Sequence, residues 1–410
     1  MHIKEGTMIP IEKAREIILN RMPVLPAERV PLDAALGRYL AEDVISTLDI
    51  PSFNNSAMDG YAVRSADIRN PGVRLEIASV LPAGVSPGQP IDQGQAAKIM
   101  TGAPVPQGSD AVVRREDTVE EKDHVRINIV PEKHENIRFR GEDIAVGQRV
   151  LLSGDLLGPA QIGVLASLRR PFVDVGQRPV VAVLATGDEI AELGEEAGPR
   201  AIISSNSHTL ISLLRASGAI PLYLGIAKDQ RSDLKARISR ALRCDLILTS
   251  GGVSMGDYDM VREIMKEEGN SLDFWTVDIK PGKPLAFGSL HGIPTIGLPG
   301  NPVSTMTSFY QFARPAILSM QGSRDILLPR IRARLTEAME NSGDRPHYIR
   351  AILTRVGEEL VVTPTGPQGS GILTSMARGN CFMIIPKKTT CLEPGTLVEC
   401  DVFGRDFFVV

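Results

Sequence analysis

Residues 244–303 hold three short apolar runs, each ending in a Gly- and Pro-rich turn that carries charged or hydroxyl side chains: CDLILTSGGVSMGDYDMV, IKPGKPLAFG and IPTIGLPGNPVS. The run 244–248 is apolar enough for a strand buried on both faces. Gly251 and Gly252 then let the backbone turn sharply into a helix beginning near residues 257–258. Such a turn presents free N–H groups and the positive end of a helix dipole, so Ser250, Gly251, Gly252 and Ser254 suit a phosphate or a related oxyanion. Lys280 and Lys283, fixed three residues apart by Pro281 and Gly282, add two positive charges. Asp257 and Asp259 repel an anion unless a cation lies between. The group therefore reads as an anion site with a divalent metal, since Mg²⁺ takes hard oxygen ligands and phosphate supplies the rest of its shell. Any one Gly-rich turn is as well explained as a closed loop with solvated charges; three such turns ending three apolar strands favour a site.

The elements that must position these turns form an α/β series. A near-continuous apolar run at 180–186 ends in Thr186, Gly187, Asp188 and Glu189. A helix over 204–217, with Ser and Asn in its first turn, leads to a strand at 220–227 that ends at Lys228 and Asp229. A helix at 231–243 and the 244–250 strand follow. Beyond the first turn come a helix at 258–268, strands near 274–279, 285–287 and 295–298, and a long helix over 302–320 that starts just after Pro299 and Asn301. Strands alternating with helices predict a mostly parallel sheet whose ligands bind beyond the carboxyl ends of its strands. Asp188, Glu189, Asp229, the 250–259 turn and residues 299–302 all follow predicted strands, so one edge is expected to gather them.

The flanking segments differ in character. A helical stripe at 11–22 ends at Pro23, and 32–44 reads as a helix interrupted by Gly37. Residues 74–140 read as a small all-β unit with strands at 75–81, 97–100, 111–114 and 125–129. Asp59 and Gly60 form a turn signal before it, Thr101 closes one of its strands, and RFRGED, ending in Asp143, closes the unit. As segments 27–49 and 146–176 both look helical, they are expected to pair as one layer, with the β unit inserted between them. The last eighty residues return to β character, with runs at 330–335, 348–354, 360–364, 381–385 and 397–402. Arg350 in the second of these, and Ser370 or Ser375 in the polar loop 366–380, are further substrate-binding candidates, although a plain inter-strand loop explains 366–380 at least as well.

Composition removes other classes. At 410 residues the chain exceeds a single core. Only 4% of residues are aromatic and the formal charge is −4, so neither stacking platforms for nucleic acid nor attraction to an anionic membrane is expected. The N-terminus has no apolar signal core and no run reaches membrane-spanning length, which predicts a cytoplasmic protein. Cys244, Cys381, Cys391 and Cys400 lack CxxC spacing and lie in apolar runs, so buried reduced thiols are expected.

NNSAMDGYA (54–62), MTGAPVP (100–106), RGED (140–143), LATGDE (184–189), TSGGVSMGDYD (249–259), KPGKP (280–284) and LPGNPVS (298–304) together resemble the molybdopterin molybdenumtransferases, the MoeA proteins and the gephyrin E domain. The resemblance runs along nearly the whole chain in order and spacing. It implies a multidomain α/β plus β fold: 1–26 with 178–328 as the α/β molybdopterin-binding domain, 27–49 with 146–177 as a linking layer, 50–145 as the inserted β domain, and 329–410 as a C-terminal β-barrel-like domain. It also implies molybdenum insertion into adenylylated molybdopterin from molybdate, with Mg²⁺-dependent hydrolysis of the adenylate and release of AMP. Carried over by position, Glu189 and Asp259 are acidic groups at the metal and pyrophosphate, and Asp188 and Asp257 support them. Lys280 and Lys283 hold the pterin phosphate or molybdate. Asp59, Thr101 and Asp143 complete the site from the partner subunit of a homodimer. Adenylylation falls to another enzyme, met through a transient contact. The alternatives are a non-enzymatic molybdopterin-binding scaffold and a molybdopterin adenylyltransferase.

Overall fold

The structure is a computed structural model that describes residues 8–86, 89–195, 198–199, 201–228, 231–251 and 271–404. Its centre is a seven-stranded sheet in the order Met8–Ile9, Ser271–Val277, Pro284–Leu290, Ile293–Leu298, Leu246–Ser250, Val180–Thr186, Ile220–Ala227. Every strand runs the same way except Pro284–Leu290, which forms a hairpin with each neighbour. Both faces are covered, as a sheet of apolar strands requires. Val181, Val183, Leu246 and Leu248 face one core with Ile11, Ala14 and Ile18 of helix Ile11–Leu19, with Leu210 and Leu214 of helix Ser205–Ala216, and with Phe309 and Phe312. Ala182, Leu184 and Ile247 face the other with Leu234 and Ile238 of helix Arg231–Arg240. Each fully buried Leu or Phe in these layers contributes about 1.5–3 kcal/mol.

The predicted helix at 302–320 is present but not uniform: it runs Pro302–Ser308, a π-helical turn Phe309–Ala313, then Arg314–Met320. Pro315 explains the insertion. It has no N–H to give the carbonyl four residues back, and its ring crowds that carbonyl. The wider turn leaves the Gln311 carbonyl free, and Arg15 Nε donates to it at 3.1 Å while Arg15 Nη2 donates to Gln311 Oε1 at 2.7 Å. The N-terminal helix is thereby fastened to the sheet's covering helix.

The linking segments correct the sequence reading. Residues 32–44 are not a helix: a single 3₁₀ turn, Leu32–Ala34, is followed by extended chain in which Tyr39 bridges Leu156 and Leu40 bridges Val175. Ala27–Pro31 pairs with Phe172–Gly176, and Val44–Ile45 with Arg149–Leu151. Gly37, at φ +73°, cannot continue a helix, and the apolar spacing that looked helical instead serves strand partners more than a hundred residues away. The helix of this layer is Pro159–Ser167, whose Leu165 joins Val30, Leu40, Val44 and Val175 in one cluster.

Between the two linking segments lies a six-stranded sheet, ordered Ala111–Arg114, Gly60–Val63, Gln95–Ile99, Val73–Leu81, His124–Ile127, Thr118–Glu121. At the C-terminal end, Arg330–Leu335, Glu359–Pro364, His347–Val356, Cys381–Ile385 and Leu397–Val402 close into a barrel. Tyr348, Met376 and Phe382 from this region join the core of the seven-stranded sheet, so the barrel is seated on the α/β unit. Cys244, Cys381 and Cys400 are buried thiols, but Cys391 is exposed, contrary to the expectation for all four: its two-residue strand Cys391–Leu392 lies outside the barrel, paired only with Met339–Glu340. Among the described residues no helix is long and apolar enough to cross a membrane.

Candidate functional site

Three strand ends meet at the carboxyl edge of the seven-stranded sheet, and glycines make the meeting sterically feasible. Gly251, at φ +89°, follows Leu246–Ser250; a β-carbon there would stand 2.9 Å from the Thr186 carbonyl and 3.1 Å from Thr186 Oγ1. Gly300, in the turn after Ile293–Leu298, would carry a β-carbon 3.8 Å from Gly251 Cα. Gly251 N donates to the Leu298 carbonyl at 3.1 Å. The turns after Val180–Thr186, Leu246–Ser250 and Ile293–Leu298 are thus in van der Waals contact, as their position in a parallel sheet predicts.

The acidic groups occupy the first of these turns. Gly187, at φ +136°, has so little room that a β-carbon would lie 2.8 Å from Glu189 Oε2, so the Glu189 carboxylate folds back over the glycine. Asp188 and Glu189 are both exposed. Thr186 Oγ1 is buried without a hydrogen-bond partner. Asp229, Gly252, Ser254, Asp257 and Asp259 lie outside the described residues, as does the helix expected at 258–268. Among the described residues no group of three or more His, Cys, Asp or Glu converges on one point.

The cationic groups approach from the other side. The KPGKP turn follows Ser271–Val277, which parallels the strands above, and so lies at the same edge. It packs on helix Pro302–Ser308: a β-carbon at Gly282 would lie 2.8 Å from Ser308 Oγ. Lys280 Nζ donates to Ser342 Oγ at 3.0 Å, and Lys283 is exposed. The Lys280 backbone bridges His347 at the start of the barrel strand His347–Val356. Arg350, three residues on, is wholly buried. Its Nε donates to Ser375 Oγ at 3.0 Å and its Nη2 to the Gly369 carbonyl at 3.1 Å, while Nη1 has no partner. Burial pushes its pKa down to about 10. The His347 imidazole is pushed down to about 4, first by burial and then by Lys280 and Arg350. Ser370 makes two bonds to the neighbouring turn: its hydroxyl accepts from Asn301 Nδ2 at 3.1 Å and its carbonyl from Val303 N at 3.0 Å. It therefore ties the 299–302 turn to the barrel loop next to Arg350. Pro299 has its carbonyl held by Thr305 Oγ1 at 2.6 Å.

On the inserted unit, Thr101 donates to Asp59 Oδ1 from both its backbone N and its Oγ1, each at 2.7 Å, and these bonds hold the exposed Asp59 carboxyl below its usual range. Asp143 is exposed and its N–H donates to the Ile50 carbonyl at 3.1 Å. The RFRGED cluster is a latch: Arg140 Nε donates to Asp49 Oδ2 at 2.6 Å, Arg140 N to Asn54 Oδ1 at 2.9 Å. These bonds stay within the inserted unit and its linking layer.

Sequence reasoning missed two residues. His347 lay in no motif. Asn206 read as part of a helix start, yet its side chain reaches Ser250 Oγ and the Gly300 carbonyl; the polar first turn was the available signal, and capping was the wrong interpretation of it.

Comparison with known proteins assigns the chain's family. Residues 9–168 match a model described as MoeA N-terminal region (domain I and II), 182–319 one described as probable molybdopterin binding domain, and 332–403 one described as MoeA C-terminal region (domain IV). A protein of Nostoc sp. named molybdopterin molybdenumtransferase is 36% identical over 402 residues, 95% of this chain and 92% of its own. One of Haemophilus influenzae with the same name is 35% identical, covering 97% and 99%. A solved structure titled molybdopterin biosynthesis moeA protein, from Pyrococcus horikoshii, superimposes with a TM-score of 0.84 at 28% identity, over 97% of this chain and 100% of that one. The chain belongs to the molybdopterin molybdenumtransferase family.

Proposed function

We propose that this chain takes adenylylated molybdopterin and molybdate, hydrolyses the pyrophosphate bond in a Mg²⁺-dependent step, and releases AMP and the molybdenum-loaded cofactor. Family membership gives the coarse role, molybdenum cofactor biosynthesis. The observation that carries the finer reading is the contact of three strand-end turns, with exposed carboxylates at one side and Lys280, Lys283 and Arg350 at the other. A pyrophosphate needs its negative charge neutralised while water attacks phosphorus and the P–O bond to AMP breaks.

A carboxylate donor set suits Mg²⁺ chemically, because both supply and demand are hard oxygen. Glu189, with Asp259 outside the described residues, would hold the ion, whose contribution when bound is to polarise phosphorus and neutralise the phosphate oxygens. The chain's own groups do the rest. Ser250 and the Gly251 backbone orient the phosphate oxygens. Lys280 and Lys283 bind the pterin phosphate or molybdate. Arg350, buried beside them with one unpartnered nitrogen, supplies a fixed positive charge for a tetrahedral dianion. Asn301 and Ser370 hold the two loops in register.

Asp59, Thr101 and Asp143 belong, in this reading, to the same site through a homodimer, with the inserted unit of one protomer reaching the sheet edge of its partner. Leu36, Ile45, Phe53, Phe139 and Val146 are exposed apolar side chains on the inserted unit and linking layer, and a partner surface would cover such groups. Substrate arrives from a separate adenylylating enzyme in the cytoplasm through a transient contact. The direct test is AMP release from purified protein given adenylylated molybdopterin and Mg²⁺, with and without molybdate. Release that rises with molybdate is expected; tight substrate binding without release would leave a carrier rather than an enzyme.

A further inference from the structure

Asn206 lies in the first turn of helix Ser205–Ala216, where Ser204 caps nothing and instead shares a hydrogen bond with Ser207 Oγ at 2.7 Å. The Asn206 amide nitrogen donates twice, to Ser250 Oγ at 2.9 Å and to the Gly300 carbonyl at 2.7 Å. A carbonyl only accepts, so the atom facing Gly300 must be nitrogen and the orientation of the amide follows from chemistry. Two consequences follow at the sheet edge. Ser250 Oγ already accepts, so its single hydroxyl proton remains to be donated elsewhere. The Gly300 carbonyl, the negative end of a peptide dipole on a turn that touches Gly251, is engaged by Asn206 and so kept from facing a bound anion.

We infer that Asn206 is a positioning residue that sets the polarity of the anion site, committing Ser250 to donate to phosphate oxygens and holding the Gly300 carbonyl away from them. The inference deepens the function proposed above and rests on it. A residue that merely braced two turns would behave differently. For a brace that acts by filling the space between the turns, Asn206→Asp preserves size and does less harm than Asn206→Ala. For a polarity device, the aspartate does more harm, because its carboxylate accepts the Ser250 proton and repels the Gly300 carbonyl, which then swings toward the ligand.

The experiment is calorimetric titration of the full chain with inorganic pyrophosphate and Mg²⁺, alongside thermal unfolding of each variant. Asn206→Ala should weaken binding about fivefold and Asn206→Asp about fiftyfold, the range expected when one charge-assisted hydrogen bond is lost or reversed. In steady-state AMP release the Asn206→Asp loss should fall mainly on KM. Should the aspartate variant not fold, Ser250→Ala carries the test: Asn206→Ala added to it should cost less binding than Asn206→Ala alone, since both act through one hydroxyl. Binding by Asn206→Asp equal to or tighter than by Asn206→Ala, or strictly additive losses in the double variant, would overturn the inference while leaving the proposed function standing. Wild-type protein that binds no pyrophosphate with Mg²⁺ would remove the anion site itself, and this inference with it.

Discussion

Arg350 and Glu189 bring opposite charges to the substrate proposed here, and the fold holds them in opposite ways. Arg350 is wholly buried, anchored by Ser375 Oγ and the Gly369 carbonyl, with no carboxylate among its described hydrogen-bond partners. Glu189 is exposed on a turn and folded over Gly187. A buried cation without a counter-ion costs free energy that a bound dianion offsets, so its position is fixed before substrate arrives. A carboxylate meant for a hydrated metal can remain in water until that metal comes. In the proposed function, the cationic end would be preorganised and the acidic end completed by the metal.

The largest effect should come from the acidic end. Glu189→Gln is expected to lower adenylate hydrolysis about 100-fold or more with the thermal midpoint unchanged, since an exposed side chain on a turn supports little packing. Full activity of that variant at limiting Mg²⁺ would sink the assignment. At the cationic end, Arg350→Met should weaken molybdate binding roughly 30-fold, measured by calorimetry, while stability shifts by no more than about 2 kcal/mol, because the replaced guanidinium was an unpaired buried charge. A collapse of the fold would mean that Arg350 is structural.

Next in size is the shared site. If Asp59 acts in trans, mixing Asp59→Asn with Glu189→Gln protein through dissociation and reassociation should restore about a quarter of wild-type turnover, since half of the C2 dimers are hybrids with one intact site. No recovery despite demonstrated exchange of subunits would place Asp59 in the site of its own chain or outside any site. The smallest effect concerns His347. Its folded pKa, about 4, lies below the ordinary value of 6.5, so the unfolded chain binds more protons between those limits and stability falls as pH drops through that window. Between pH 7 and 5.5 the loss should be about 1 kcal/mol, and His347→Asn should remove that part of the slope. An unchanged slope in the variant would show that other groups carry it.

Legibility in the sequence followed the range of the forces involved. Val180–Thr186 and Ile220–Ala227 could be read to the residue, because strands covered on two faces are apolar throughout and end where glycines and charges begin. Residues 32–44 could not, since their Leu and Ala spacing satisfies a helix and the distant partners Leu156 and Val175, and the pairing of Val44–Ile45 with Arg149–Leu151, decide otherwise. The π turn at Phe309–Ala313 was written in Pro315, but its purpose depends on Arg15 at the far end of the chain. In the site, the glycine turns were legible as motifs. Ser370 was read as a ligand group, but its bond from Asn301 could not be foreseen; Arg350 carried no signal of its burial; Asn206 read only as part of a helix's first turn. Those are facts of tertiary contact, invisible to spacing.

The account stands or falls on whether the two ends work as one site, and the measurement that asks this is AMP release as a function of molybdate for wild type and Arg350→Met. Wild type should show stimulation that saturates with molybdate, and Arg350→Met a slow release that molybdate does not change. Equal stimulation of both proteins would contradict the account, because molybdate would then act without the buried arginine.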